Sequence, residues 1–190
     1  EPVYKLHTLH ALTMGITGRD VGVVDDLPSY GKDVVGTIAD TGLDLNHCYF
    51  SHPDHEVPKE VISRLTAPQV VSKLLANPSL HPKMVAYLSV EYVDKKERVR
   101  SDFTDEDSGH GTHVAGSAVG GNTNPLCGDA SYLSSKAKLL FIDVDNGSED
   151  GLVVPPSLSW IMQTSYDLGS RLFSNSWGSN GTGYGMHAYQ

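Results

Sequence analysis

Two apolar runs constrain this 190-residue chain more than any other feature: Val34-Val35-Gly36-Thr37-Ile38-Ala39 and Leu139-Leu140-Phe141-Ile142. Neither alternates with polar residues. A strand with one wet face alternates, whereas an unbroken apolar run is covered on both faces, as in a parallel sheet. Met84 to Val93 alternates in part and reads as another strand. Arg171-Leu172-Phe173-Ser174 reads as a fourth, running into Asn175-Ser176-Trp177-Gly178. Helical patterns separate these strands. Residues 58–77 read as helical in two pieces, with Thr66 capping a helix that starts near Pro68. Val70, Val71, Leu74 and Leu75 form its apolar stripe, and Asn77-Pro78 stops it. Ser157 to Leu168 reads as a second helix, ended by Gly169. Strands alternating with helices predict an α/β domain with a mostly parallel central sheet flanked by helices. The Gly- and Asp-rich stretch up to Tyr30 is expected to wrap the surface.

Composition narrows the function classes. Hydrophobic residues make up 39% and charged residues 19%, the balance of one globular domain. No apolar run approaches the ~20 residues that cross a bilayer, so no membrane contact is evident in this segment. The formal net charge of −9 opposes binding to nucleic acid or an anionic membrane surface. Lys95-Lys96-Glu97-Arg98-Val99-Arg100 is the densest basic run, and acids follow it at once, so it reads as a solvated mixed-charge surface. Glu1 opens the chain without a charged-then-apolar leader, as in a processed form. Cys48 and Cys127 can close one long loop as a disulfide or remain two small buried thiols. The sequons at Asn146 and Asn180 point towards the secretory pathway.

Two motifs carry chemistry. Asp40-Thr41-Gly42 directly follows the first apolar run. Reacting groups in open α/β sheets gather at the carboxyl ends of strands, where a carboxylate can orient a histidine and stabilise its protonated form. The plainer reading is a turn. His110-Gly111-Thr112-His113-Val114-Ala115-Gly116 is more specific. Glycines cost about 1 kcal/mol each inside a helix, so this run is helical only where another element packs closely against it. The helix dipole disfavours a protonated histidine at the N-terminus and a partner carboxylate favours it, a balance suited to a general base. His113, one turn further in, is expected to pack inside. His47, His52 and His55 read as loop residues.

Taken together, the Asp40-Thr41-Gly42-Leu43-Asp44 and His110-to-Gly116 segments resemble the subtilase family of serine peptidases, whose triad runs Asp, His, Ser along the chain. The resemblance covers residues 34–178. It implies a subtilisin-like serine endopeptidase with Asp40 and His110 catalytic and a polypeptide substrate. It also implies that Ser176, Trp177 and Gly178 form one wall of the substrate pocket, pairing with substrate backbone as an added strand. Trp177 stands where a smaller aliphatic residue is expected. The gap between Asp40 and His110 is long, which predicts an insertion around residues 56–100. No cofactor is expected. Calcium is a family property, but its ligand position falls near Tyr49 and no ligand is assigned. Asp143-Val144-Asp145-Asn146-Gly147 misses the spacing of a calcium loop and reads as a turn. The family's Gly-Thr-Ser nucleophile motif and oxyanion asparagine have no counterpart here. Residues 1–190 are therefore expected to be the N-terminal part of one peptidase domain, inactive without its C-terminal half. His47-Cys48, after the Asp motif, also resembles the protease part of protease–transporter fusions in social amoebae; no transporter function follows from that.

Three other readings compete. An aspartic protease would need Asp107-Ser108-Gly109 as a second motif, but the run before it is acidic rather than apolar, and His110 would be left unexplained. A zinc helix wants histidines four apart with a glutamate after the first, and Gly111 occupies that place. A non-catalytic half-domain or pseudoprotease acting as a binding module remains the alternative to an enzyme.

Overall fold

The strands of the computed structural model carry the apolar runs, and its helices cover them on both sides. It describes residues 30–94, 96–105, 109–121, 124, 134–145, 152 and 154–178. The N-terminal segment to residue 29, Asp107-Ser108, Cys127 and the sequon asparagines 146 and 180 lie outside them. In chain order the elements are β1 (Val35–Asp40), β2 (Lys59–Ile62), α1 (Ala67–Ala76), β3 (Met84–Asp94), β4 (Glu97–Arg100), α2 (His110–Val119), β5 (Lys138–Asp143), α3 (Ser159–Asp167) and β6 (Leu172–Asn175). The sheet runs β2-β3-β5-β1-β6, with β4 added on β3. All neighbours are parallel except β3 and β4, which form an antiparallel hairpin. This is the α/β class that the unalternating runs require.

Alternate residues of the central strands build two cores. Ala39, Leu140, Ile142, Ala86 and Leu88 face α1 and α3, whose Val71, Leu74 and Ile161 close that layer. Ile38, Leu139, Phe141 and Tyr87 face α2 through Ala115 and Val119. Period 2 therefore places Asp40 and Asp143, the last residues of β1 and β5, on the α2 side, and they are partners in register.

The helix expected in two pieces over 58–77 has only its second piece. Residues 59–62 form β2 instead, because Val61 and Ile62 ladder in parallel against Ser89 and Val90, and Ile62 is fully buried. That partner lies outside any local window. Thr66 occupies the N-cap of α1 without a side-chain cap bond, and Asn77 closes the helix. Val71 and Leu74 are buried as expected, whereas Leu75 points outwards. Lys96, Glu97, Arg98 and Arg100 of the basic run are exposed as expected, but Glu97–Arg100 is also strand β4, fixed by a bidentate Arg98–Glu91 pair at 2.6 and 2.8 Å. Residues 56–100 thus hold β2, α1, β3 and β4, all built onto one side of the sheet.

Candidate active site

Asp40 ends β1 and has no exposed surface; His110 is the first residue of α2. The two lie 70 residues apart in sequence, and His110 Nδ1 meets Asp40 Oδ1 at 2.7 Å. Asp40 Oδ1 also accepts from the Thr41 N–H at 2.8 Å. Asp40 Oδ2 is buried and has no hydrogen-bond partner among the described residues. With Nδ1 donating to the carboxylate, the neutral ring carries its lone pair on Nε2. The histidine side chain is 47% exposed, so one side of the pair is open to a reacting group.

Small residues make the approach feasible. Gly42 has φ +132°, and a Cβ there would overlap the Thr104 carbonyl. A Cβ on Gly111 would overlap the Gly42 carbonyl. The glycines that weaken α2 as an isolated helix therefore let it dock on the loop that holds Asp40.

Asp105 completes the mount. Its Oδ1 accepts from Thr41 Oγ1 at 2.8 Å, while Oδ2 accepts from the Thr112 N–H at 2.8 Å and Thr112 Oγ1 at 2.5 Å. Thr41 Oγ1 accepts from the Gly111 N–H at 2.9 Å, and Thr112 Oγ1 accepts from the Asp44 N–H at 2.8 Å. A carboxylate thus satisfies one N–H that a helix N-terminus leaves open, Thr41 Oγ1 takes another, and Asp105 joins the Asp40 loop to the His110 helix. Within the acidic run Asp102–Asp107, Asp105 reads as surface. The available signal was an acid shortly before a helix start.

The remaining candidate residues separate in space. Ser176 and Gly178 are exposed just beyond β6, which runs beside β1. Trp177 packs on the core under α1 and α3, and its indole N–H donates to the Ala39 carbonyl at 2.8 Å. Its ring is a pin against the last turn of β1's ladder. His113 is exposed, contrary to its expected burial: on α2 the buried face is Gly111, Ala115, Gly116 and Val119, and position 113 lies off that stripe. His52 and His55 stack in their loop at 4.7 Å, with His81 at 6.0 Å from His52. His81 is buried, and Nδ1 accepts from the Lys83 and Met84 N–H groups at 3.1 and 3.0 Å. Burial, with His52 and His55 nearby, lowers its pKa to about 4. The lone pair is spent on the backbone, so this ring is not a metal ligand in this form. Cys48 is disulfide-bonded.

At the calcium-ligand position implied by resemblance, the side chain present does not suit the ion. Tyr49, at the ligand position, is buried in the α2-side core, with its ring 3.7 Å from where a Cβ on Gly116 would lie. Among the described residues no three His, Cys, Asp or Glu side chains converge on a possible metal position. No catalytic step is assigned to a metal.

A buried strand-end aspartate thus meets a helix-opening histidine on a parallel α/β sheet, an arrangement that can take up and hold a proton. The subtilase family model matches residues 31–189, and the chain belongs to that family. It is 33% identical over 156 residues to the serine protease/ABC transporter B family protein tagB of Dictyostelium discoideum, covering 81% of this chain. It is 32% identical over 157 residues to tagD and 30% over 151 residues to tagA, of the same description and organism. These matches cover 81% and 78% of the chain. The matched region spans 7% of the length of each of these relatives.

Proposed function

We propose that these residues supply the Asp and His of a serine endopeptidase that hydrolyses peptide bonds through an acyl-enzyme. The observation that carries this reading is the 2.7 Å contact between His110 Nδ1 and the buried Asp40. His110 Nε2 takes the proton of a serine hydroxyl as it attacks the carbonyl, then returns it to the leaving amine. Asp40 holds the tautomer and balances the imidazolium that forms. The sequence has no Gly-Thr-Ser, so the reading places the serine and the oxyanion asparagine outside these 190 residues. The chain is then the N-terminal part of one peptidase domain, with 56–100 elaborating one side of it, and is inactive without the remainder.

The substrate is an extended polypeptide. The main chain of Ser176, Trp177 and Gly178 directly follows β6, where it can pair with substrate as an added strand. Trp177 contributes by fixing that main chain to β1. The net charge of −9 argues against a nucleic-acid partner. The disulfide at Cys48 favours a secretory-pathway location.

Fluorophosphonate labelling of the natural full-length protein, with peptide mapping, tests the assignment. The expected result is one labelled serine in a Gly-Thr-Ser setting, and loss of the label in His110→Ala. Well-folded protein that takes up no label would favour a non-catalytic binding module instead.

A further inference from the structure

One buried carboxyl lies beside the pair and is not used by the chemistry above. Asp143 ends β5 in register with Asp40 and has no exposed surface. Three donors converge on it: the Phe103 N–H at 2.7 Å and the Tyr87 hydroxyl at 3.2 Å on Oδ2, and the Asp145 N–H at 2.9 Å on Oδ1. We infer that Asp143 is a positioning residue for Asp40 and His110, because it fastens both backbone segments that hold the pair.

The first route runs through Tyr87. Its hydroxyl donates to Asp143 and accepts from the Leu43 N–H at 2.9 Å, three residues past Asp40. The phenol is buried and has no other access to solvent, so its orientation is set by these two partners. The second route runs through Phe103. This residue has φ +67°, a left-handed conformation that a non-glycine residue adopts only at a cost in strain. Its N–H lands on the Asp143 carboxyl, and its ring packs edge-on against Tyr87 at 5.2 Å. From that bend the chain brings the Thr104 carbonyl over Gly42 and delivers Asp105 to Thr41 and Thr112. The first route therefore ends on the loop that follows Asp40, and the second on that loop and on the helix carrying His110.

The surroundings suit an internal anchor. Burial raises the Asp143 carboxyl to about 8, against the opposing pull of its hydrogen bonds. The ionisable groups around it are Tyr87 on β3, Asp102 and Asp105 on the 101–105 segment, Asp40 on β1 and Asp145 after β5. Lys59 lies 5.9 Å from the Tyr87 ring centroid. A carboxyl retained there with no cation in contact among the described residues is explained by what it holds in place.

The inference rests on the peptidase reading, and its test separates the two. Tyr87→Phe, Asp143→Asn and the double variant of the natural full-length protein are compared by fluorophosphonate labelling rate. They are also compared by the pH profile of deuterium exchange at the His110 C2 hydrogen, read by mass spectrometry, which needs no nucleophile. Each single variant is expected to slow labelling about 10-fold. The double should be no slower than the slower single, because both act on one linkage. The His110 exchange midpoint is expected to move to lower pH in all three, as the carboxylate partner loosens. Multiplying effects, or an unmoved His110 profile in folded Tyr87→Phe, would overturn the positioning role. Absence of labelling in the unmodified protein would refute the peptidase reading alone, and the His110 profiles would still decide the role of Asp143. Tyr87→Phe removes a single oxygen, so it decides the matter should Asp143→Asn fail to fold.

Discussion

The two ends of helix α2 are held by opposite chemistry. At the His110 end, acceptors converge on open N–H groups: Asp40 on the imidazole, Asp105 on the Thr112 N–H, Thr41 Oγ1 on the Gly111 N–H. At the Val119 end, a donor converges on open carbonyls. Lys83 is 1% exposed, and its ammonium donates to Val119 at 2.8 Å, Ser135 at 2.6 Å and Ala137 at 2.9 Å. Each end thus receives the charge that its unpaired backbone groups and the macrodipole favour. The difference is exposure. His110 is half open and can react, while Lys83 is sealed and can only hold. Rate should therefore depend on one end of the helix and stability on the other.

The largest effect expected is at the reacting end. Asp40→Asn in the natural full-length protein should lower turnover by about four orders of magnitude by favouring the wrong histidine tautomer. Peptide hydrolysis measured beside a melting curve checks this, and a loss below tenfold would remove Asp40 from the mechanism. Asp105→Ala should cost about tenfold in kcat and roughly 1–2 kcal/mol of stability, since it unseats the helix start as well as the loop. If only stability falls, the two ends are alike after all. Lys83→Met should invert that pattern. It takes the ammonium donor from the Val119, Ser135 and Ala137 carbonyls, at roughly 1–3 kcal/mol, with kcat of the folded protein unchanged. Denaturant titration and active-site-normalised rates separate the two quantities, and a fall in kcat would make the sealed end functional.

The smallest effects are pH slopes of opposite placement. Burial lowers Lys83 from 10.5 to about 8, so the unfolded chain binds the extra proton in that interval. Its contribution is fully present above about 10.5 and is lost as pH falls through about 8. Asp143 is raised from 3.8 to about 8, so its contribution is present below about 3.8 and is lost as pH rises through about 8. Asp143→Asn should therefore flatten the decline in stability between about pH 4 and pH 8, by up to one proton in slope, in urea midpoints taken across that range. An unchanged slope would place the titration elsewhere.

Much of the site was legible because it is written in local patterns. An unbroken apolar run ending at Asp40 and a small-residue helix opening at His110 identify both partners of the pair without any knowledge of where they meet. The same pattern stood at Leu139–Ile142 followed by Asp143, where a turn was the expected reading. A strand-end acid and a turn acid have the same local sequence, and only the donors Phe103, Tyr87 and Asp145 distinguish them.

By itself, the sequence determined the parallel sheet, the identity of Asp40 and His110, and the need for close packing at Gly111, since periodicity and residue size act within a few positions. Tertiary structure alone decided that 59–62 is a strand, that His113 faces outwards, and that Asp105, Tyr87, Asp143 and Lys83 hold the frame. Their partners lie far along the chain, 64 residues for Thr41 and Asp105 and 56 for Tyr87 and Asp143. A hydrogen bond over such a separation exists only once the strands have paired and fixed which side chains share a face.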